Sequence, residues 1–304
     1  MSFKQVCLLA EENGCKVQYN KPLSEYTTFK IGGNCPAIIE INSVESLSSI
    51  IKYCRENNIR YLIIGKGSNM LCDDNGFDGV ALHFGTDFSD ISVNNDGLIQ
   101  VQSGCSLMKL CRCALDNSLS GLEFAYGIPG TVGGAIFMNA GAYGGEIKDV
   151  LVSAEFVDSD GNVHTLPAEK LDLSYRHSLF HDNDHVITKG VFKLDKGDKS
   201  EIKAKMDELM NRRKEKQPLE YPNAGSTFKR PKGQFAGKLV QDCGLKGFSV
   251  GGAMVSEKHS GFVINYNNAT GKDVKALIEQ VQKTVFEKTG FFLECEVKFI
   301  PYSE

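Results

Sequence analysis

Apolar residues recur at two periods along the chain, and these periods predict most of its elements. Val44, Leu47, Ile50, Ile51 and Cys54 fall on one helical face, and Asn42 with Glu45 reads as the capping box that opens this helix. Short apolar runs at Ile38–Ile41, Arg60–Ile64, Val80–Phe84 and Leu98–Ser103 predict strands, and about Leu107–Asn117 predicts a second helix. Asp160-Gly161 stands as a hairpin turn between Ser153–Val157 and Val163–Leu166. A strand at His185–Lys193 precedes a helix from about Lys199 to Lys214, whose dense Lys, Arg, Asp and Glu residues read as a solvated face. Beyond Pro218 and Pro222 the pattern predicts a helix around Gln234–Cys243 and strands near Phe248–Val255 and Phe262–Asn265. A long helix opened by Thr270 follows, with Val274, Leu277, Ile278 and Val281 on its core face. The last strand, Phe292–Ile300, would put Glu294 and Glu296 on one sheet face, because side chains alternate with period two.

This mixture is α+β, and 304 residues are enough for two or three domains. With 41% hydrophobic and 24% charged residues the composition is that of a globular protein. The net charge of −4 argues against a chain built to bind a nucleic-acid backbone or an anionic membrane, so any phosphate site is local. The N-terminus meets acids before an apolar signal develops, and no later run reaches the length of a membrane span, so a cytoplasmic location is expected. Ten cysteines are scattered from Cys7 to Cys295 and read as reduced thiols rather than a disulfide framework. Cys111 and Cys113 sit two apart on a helix and point in different directions, and no Cys-x-x-Cys completes a zinc site, so no metal is expected.

Two glycine-rich segments carry the first chemical signal. From Tyr126 to Gly145 the chain has too many glycines for a core helix or strand, and successive amides in such a run can form a concave anion site for a pyrophosphate. Gly65-Lys66-Gly67-Ser68-Asn69 follows the Arg60–Ile64 strand. It matches neither Gly-x-Gly-x-x-Gly, since Met70 stands at the third glycine, nor the P-loop. Alone it reads as a plain turn; beside the longer segment a shared ligand becomes plausible. Arg176, by itself, reads as a surface ion-pair arginine, and Ser226 as a turn or helix cap. Glu296 faces either an enclosed space or the wet side of an edge strand. His177, His181 and His185 have helical spacing, but Asp182, Asn183 and Asp184 make a loop the better reading.

The order of these segments resembles the UDP-N-acetylenolpyruvoylglucosamine reductases over nearly the whole chain. The markers are Thr27-Thr28-Phe29-Lys30-Ile31-Gly32-Gly33, Gly65–Asn69, Gly127–Gly134, Ser174-Tyr175-Arg176, Asn223-Ala224-Gly225-Ser226 and Leu293-Glu294-Cys295-Glu296-Val297. The first three are shared with FAD-binding folds of the vanillyl-alcohol-oxidase (PCMH) type; the last three narrow the resemblance to the reductases. It implies an FAD-binding fold in two subdomains, 1–82 and 83–217, with a C-terminal α+β substrate domain at 218–304.

Noncovalent FAD would be held by Gly65, Lys66, Gly67, Ser68 and Asn69, by Gly127, Ile128, Pro129, Gly130, Thr131, Val132, Gly133 and Gly134, and by Asn139, Ala140 and Gly141. The resemblance further implies that NADPH delivers hydride to the flavin, which passes it to C3 of the enolpyruvyl group of UDP-N-acetylglucosamine enolpyruvate in peptidoglycan synthesis. Ser226 would protonate C2, Arg176 would stabilise the developing oxyanion, and a protonated Glu296 would donate to the same centre. Lys216 carries over as a contact to the UDP diphosphate, Tyr175 borders the arginine, and Arg230 stands near the phosphates. Longer family members insert a tyrosine loop after the strand corresponding to His185–Lys193. Here Leu194-Asp195-Lys196-Gly197 leads straight to the next helix, which places the chain in the shorter subtype. Two other readings predict different behaviour. A different oxidoreductase on this fold would often tether FAD through histidine, and a silent nucleotide-binding module would bind without turnover.

Overall fold

The computed structural model describes residues 3–94 and 96–303. The chain divides into two compact units, one of residues 1–19, 37–65 and 79–212, the other of residues 20–36, 66–78 and 213–304.

In the first unit, helices α1 (Lys4–Glu12) and α2 (Val44–Glu56) cover a sheet whose strands run in the order Lys16–Pro22, Asn34–Glu40, Val80–His83, Tyr61–Ile64. The last three pair in parallel. The apolar face read for α2 is the buried one: Leu47, Ile50, Ile51 and Cys54 pack with Val6, Cys7 and Ala10 of α1 and with Ile39 and Leu82 of the sheet. Its cap differs from the expected Asn42 with Glu45. Ser43 caps the helix by accepting from the Ser46 amide, and the Asn42 side chain instead accepts from the Ser46 hydroxyl. The cap lies one residue later because Ser43 has the extended backbone that a capping residue needs.

The same unit holds a five-stranded antiparallel sheet in the order Val163–Pro167, Leu151–Val157, Val186–Lys193, Leu98–Gln102, Ile91–Val93. Asp160-Gly161 is the expected turn, with Gly161 at φ +84. Helices α3 (Leu107–Asp116) and α4 (Val132–Phe137) bury Leu107, Leu110, Cys111, Val132 and Ile136 in the core of this sheet. The charged helix α5 (Lys199–Lys216) keeps ion pairs such as Lys205–Glu208 on its surface.

In the second unit, α6 (Ala236–Asp242) and α7 (Gly271–Thr289) pack on a three-stranded antiparallel sheet, Ser249–Val250, Ala253–Val255 and Val263–Asn265. Thr270 opens α7 in a capping box with Asp273, and Gly290 closes it at φ +75. Two expected strands are corrected. Phe248–Val255 folds back at Gly251-Gly252 into a hairpin, and Asn267 O and Ala269 N stand where a Cβ on Gly252 would go. Of Phe292–Ile300 only Lys298–Ile300 is a strand, parallel to Met70–Cys72; upstream a single bridge joins Cys295 to Phe228. Glu294 and Glu296 therefore do not share a sheet face. Glu294 is exposed and paired with Lys229 at 2.6 Å.

Among the described residues all ten cysteines are free thiols, and no helix is long and apolar enough to cross a membrane.

Candidate functional site

Within the first unit the long glycine segment resolves into a helix start, a turn and a hairpin. Thr131 caps α4 by accepting from the Gly134 amide at 3.3 Å. Val132 N donates to Cys105 O and Gly133 N to Ser103 O. Three amides of the run are thus used in packing, and Gly133 is needed because a Cβ there would lie 2.7 Å from the Ser103 Cβ. Gly65 serves the same purpose, with Thr131 Oγ1 2.4 Å from where its Cβ would stand. The amides of Gly127, Gly130 and Thr131 have no acceptor among the described residues, although Thr131 is only 5% exposed. In the second unit the amides of Lys66, Gly67 and Ser68 are likewise without acceptor, and the Lys66 side chain is exposed. Backbone donors of this kind call for an anionic or water partner in each unit.

Past α4, the Asn139 backbone is left-handed (φ +39) and its side chain is fully buried. Nδ2 donates to Ser174 O at 2.9 Å and to Glu146 Oε2 at 3.1 Å, and Oδ1 accepts from the Lys148 amide at 2.9 Å. The side chain is therefore committed within the protein, and the Asn139 amide donates to Ile136 O and the Ala140 amide to Ala135 O, so neither residue offers a free donor for the expected cofactor contact. Gly141 and Glu146 pair across a hairpin whose turn is Tyr143-Gly144, both at positive φ.

Arg176 lies in the turn that Asn139 holds. Ser174 and His177 exchange two backbone hydrogen bonds of 3.2 Å, and Arg176 occupies the turn at φ +56. Its Nη2 donates to Gly141 O at 3.2 Å, and its guanidinium stands 5.1 Å from the ring centre of exposed Tyr175. Lys148 first, then Asn139 and the Arg176 charge, hold the Glu146 carboxyl below its ordinary range despite partial burial. His181 stacks on Phe137 in the adjacent loop, and among the described residues no cluster of His, Cys, Asp or Glu could hold a metal ion.

The second unit brings Ser226 and Glu296 onto neighbouring backbone. An Asn223 turn, in which Oδ1 accepts from the Gly225 amide at 2.9 Å, leads into exposed Ser226. Thr28 Oγ1 donates to Asn223 O at 2.7 Å and steadies the turn. Thr227 then anchors the chain: its amide donates to Gly261 O, its Oγ1 accepts from Val263 N, and its carbonyl accepts from Glu296 N at 2.8 Å. Asn69 Nδ2 reaches Glu296 O at 3.0 Å, so the shorter glycine segment and Glu296 share a brace. Burial pushes the neighbouring Cys295 thiol up to about 11, which leaves it unreactive at neutral pH.

Lys216 and Arg230 are exposed, Arg230 lying 4.4 Å from the Phe235 ring centre. His259 is a further polar residue of this unit. It is half-buried, its Nδ1 accepts from the Gly261 amide at 3.1 Å, and burial, then the Lys216 charge, holds its imidazole below the ordinary value. No sequence motif marks it; its place beside Lys216 is a product of the fold.

Comparison with known proteins places these features in an FAD-binding oxidoreductase. The profile described as FAD binding domain matches residues 35–167, and that of the UDP-N-acetylenolpyruvoylglucosamine reductase C-terminal domain matches residues 217–300. The chain is 49% identical to the UDP-N-acetylenolpyruvoylglucosamine reductase of Clostridium novyi over 94% of its length and 92% of the relative's. It is 50% identical to that of Clostridium botulinum, covering 93% of this chain and 92% of the other. The solved structure of the Thermus caldophilus reductase superposes with a TM-score of 0.81 at 35% identity, covering 94% of this chain and all of that one. The chain belongs to the UDP-N-acetylenolpyruvoylglucosamine reductase family, and its α+β FAD-binding fold is the one the sequence led us to expect.

Proposed function

We propose that the protein uses NADPH to reduce the enolpyruvyl group of UDP-N-acetylglucosamine enolpyruvate to UDP-N-acetylmuramate, in the cytoplasm. The observation that carries this reading is the placement of Ser226 and Glu296 on one braced backbone, in a chain that matches a family member over 94% of its length. FAD would be held noncovalently, with the open amides of Gly127, Gly130 and Thr131 and those of Lys66, Gly67 and Ser68 as its candidate contacts, and would supply two-electron hydride chemistry between NADPH and C3. In this reading 1–82 and 83–217 serve the cofactor, and 218–304 serves the sugar nucleotide.

The protein's own groups manage the proton and the charge. Ser226 gives its hydroxyl proton to C2, which a weak acid can do only for a strongly basic carbon. Arg176, permanently charged, stabilises the negative charge that builds toward the substrate carboxylate. Glu296 assists in its protonated form, since a carboxylate would oppose that charge. Lys216 and Arg230 are exposed cations suited to the diphosphate, and Tyr175 borders the arginine.

The test separates the two half-reactions. Ser226→Ala should leave flavin reduction by NADPH intact and slow reoxidation of reduced flavin by the enolpyruvyl sugar by about 10²–10⁴-fold, the usual worth of a positioned acid. Equal loss in both halves would make Ser226 structural.

A further inference from the structure

We propose that Asn139, together with Ser178, is a positioning residue for Arg176, so that the glycine segment sets the geometry of the arginine as well as any cofactor contact. The inference rests on the reading of Arg176 as the residue that stabilises charge on the substrate. Arg176 has the left-handed backbone (φ +56) that a residue with a long side chain adopts only where its surroundings enforce it. Both feet of its turn are tied to the C-terminal end of α4 and the residues just beyond it. On one side Ser174 O accepts from Asn139 Nδ2 at 2.9 Å; on the other, Ser178 Oγ donates to Phe137 O at 2.6 Å. Asn139 and Ser178 are both fully buried.

The guanidinium itself is fixed by Gly141 O, two residues beyond Asn139. Glu146 completes the frame. It accepts from the second Asn139 N–H at 3.1 Å, pairs with Lys148 at 2.8 Å, and adds a negative charge that Arg176 feels. Turn, side chain and counter-charge are thus referenced to residues 137–148. An amide suits this place because it donates twice and accepts once in a single plane; an aspartate there would lose both donations and face the Glu146 carboxylate.

Stopped-flow half-reactions on flavin-loaded enzyme test this, using Asn139→Ser, Ser178→Ala, Arg176→Ala and the double variant Asn139→Ser/Arg176→Ala. Misplacing a catalytic group by about 1 Å can cost about 10²-fold. Asn139→Ser should accordingly lower reoxidation by the enolpyruvyl sugar about 10–100-fold more than it lowers reduction by NADPH. Ser178→Ala should move reoxidation in the same direction by less, and it decides the matter if Asn139→Ser does not fold. On the Arg176→Ala background Asn139→Ser should change reoxidation by no more than about twofold, since the interaction it supports is already gone. Wild-type reoxidation in Asn139→Ser beside a slow Arg176→Ala would overturn the inference. So would a loss that multiplies that of Arg176→Ala, or equal loss in both half-reactions. Wild-type reoxidation in Arg176→Ala itself would instead refute the role given to Arg176.

Discussion

Replacing Gly65 by alanine tests whether the two glycine segments are shaped by contact within the protein as well as by a ligand. A Cβ at Gly65 would stand 2.4 Å from Thr131 Oγ1 and 2.9 Å from Thr131 Cγ2, so the threonine must move. Thr131 caps α4 through the Gly134 amide, and a lost cap costs about 0.5–2 kcal/mol. Overpacking adds about 1–3 kcal/mol. Together Gly65→Ala should destabilise the flavin-free protein by roughly 2–4 kcal/mol, or about 4–16 °C in Tm at about 2–4 °C per kcal/mol for a unit of this size. Thr131→Ala should cost about 1 kcal/mol as a lost cap. The double variant gives the discriminating result. With Oγ1 and Cγ2 removed, the nearest obstacle to the new methyl is the residue-131 Cβ at 3.2 Å, a distance that a small shift relieves. Gly65→Ala/Thr131→Ala should therefore be about as stable as Thr131→Ala alone. If circular-dichroism melting shows the two losses simply adding, the contact is not what requires glycine at position 65.

Three further outcomes follow from the second unit. Thr28→Val removes the 2.7 Å hydrogen bond to Asn223 O with little change of shape, so it should cost about 1 kcal/mol and slow substrate reoxidation more than NADPH reduction; an unchanged ratio would show that the Ser226 turn does not need this brace. Burial and Lys216 lower the His259 pKa from 6.5, so between the folded and unfolded values the unfolded chain binds more protons and stability is lost as the pH is lowered through that window. Urea midpoints measured below neutrality should drop less for His259→Gln than for the wild type, and equal slopes would remove His259 as the source. Arg230→Ala should raise KM for the sugar nucleotide with kcat unchanged if it contributes uniform binding, and a fall in kcat would move it into the chemistry.

The amphipathic faces of α2 and α7 were legible in the sequence because periodicity records which side of an element is buried. The family was legible because six short segments keep their order over the chain, and glycines at 65, 67 and 127–134 mark where backbone must approach backbone or ligand. Neither signal names the partner. The apolar run at Phe292–Ile300 looked like one strand, yet its first half has a single bridge, to Phe228, and only Lys298–Ile300 finds a ladder on Met70–Cys72. Helix α1 and the strand Lys16–Pro22 were absent from the predicted elements, since nine helical residues with three buried positions leave little periodic signal.

The chemistry divides in the same way. Residue types at 176, 226 and 296 were readable, but their settings rest on hydrogen bonds between residues far apart in the chain. Asn69 reaches Glu296, Thr28 reaches Asn223, and Asn139 reaches Ser174. Such bonds have no local period or spacing, so the sequence by itself determined which groups are present and which faces are buried. Only the tertiary structure decided which amides of the glycine segments remain open and which asparagine bonds to the turn that carries Arg176.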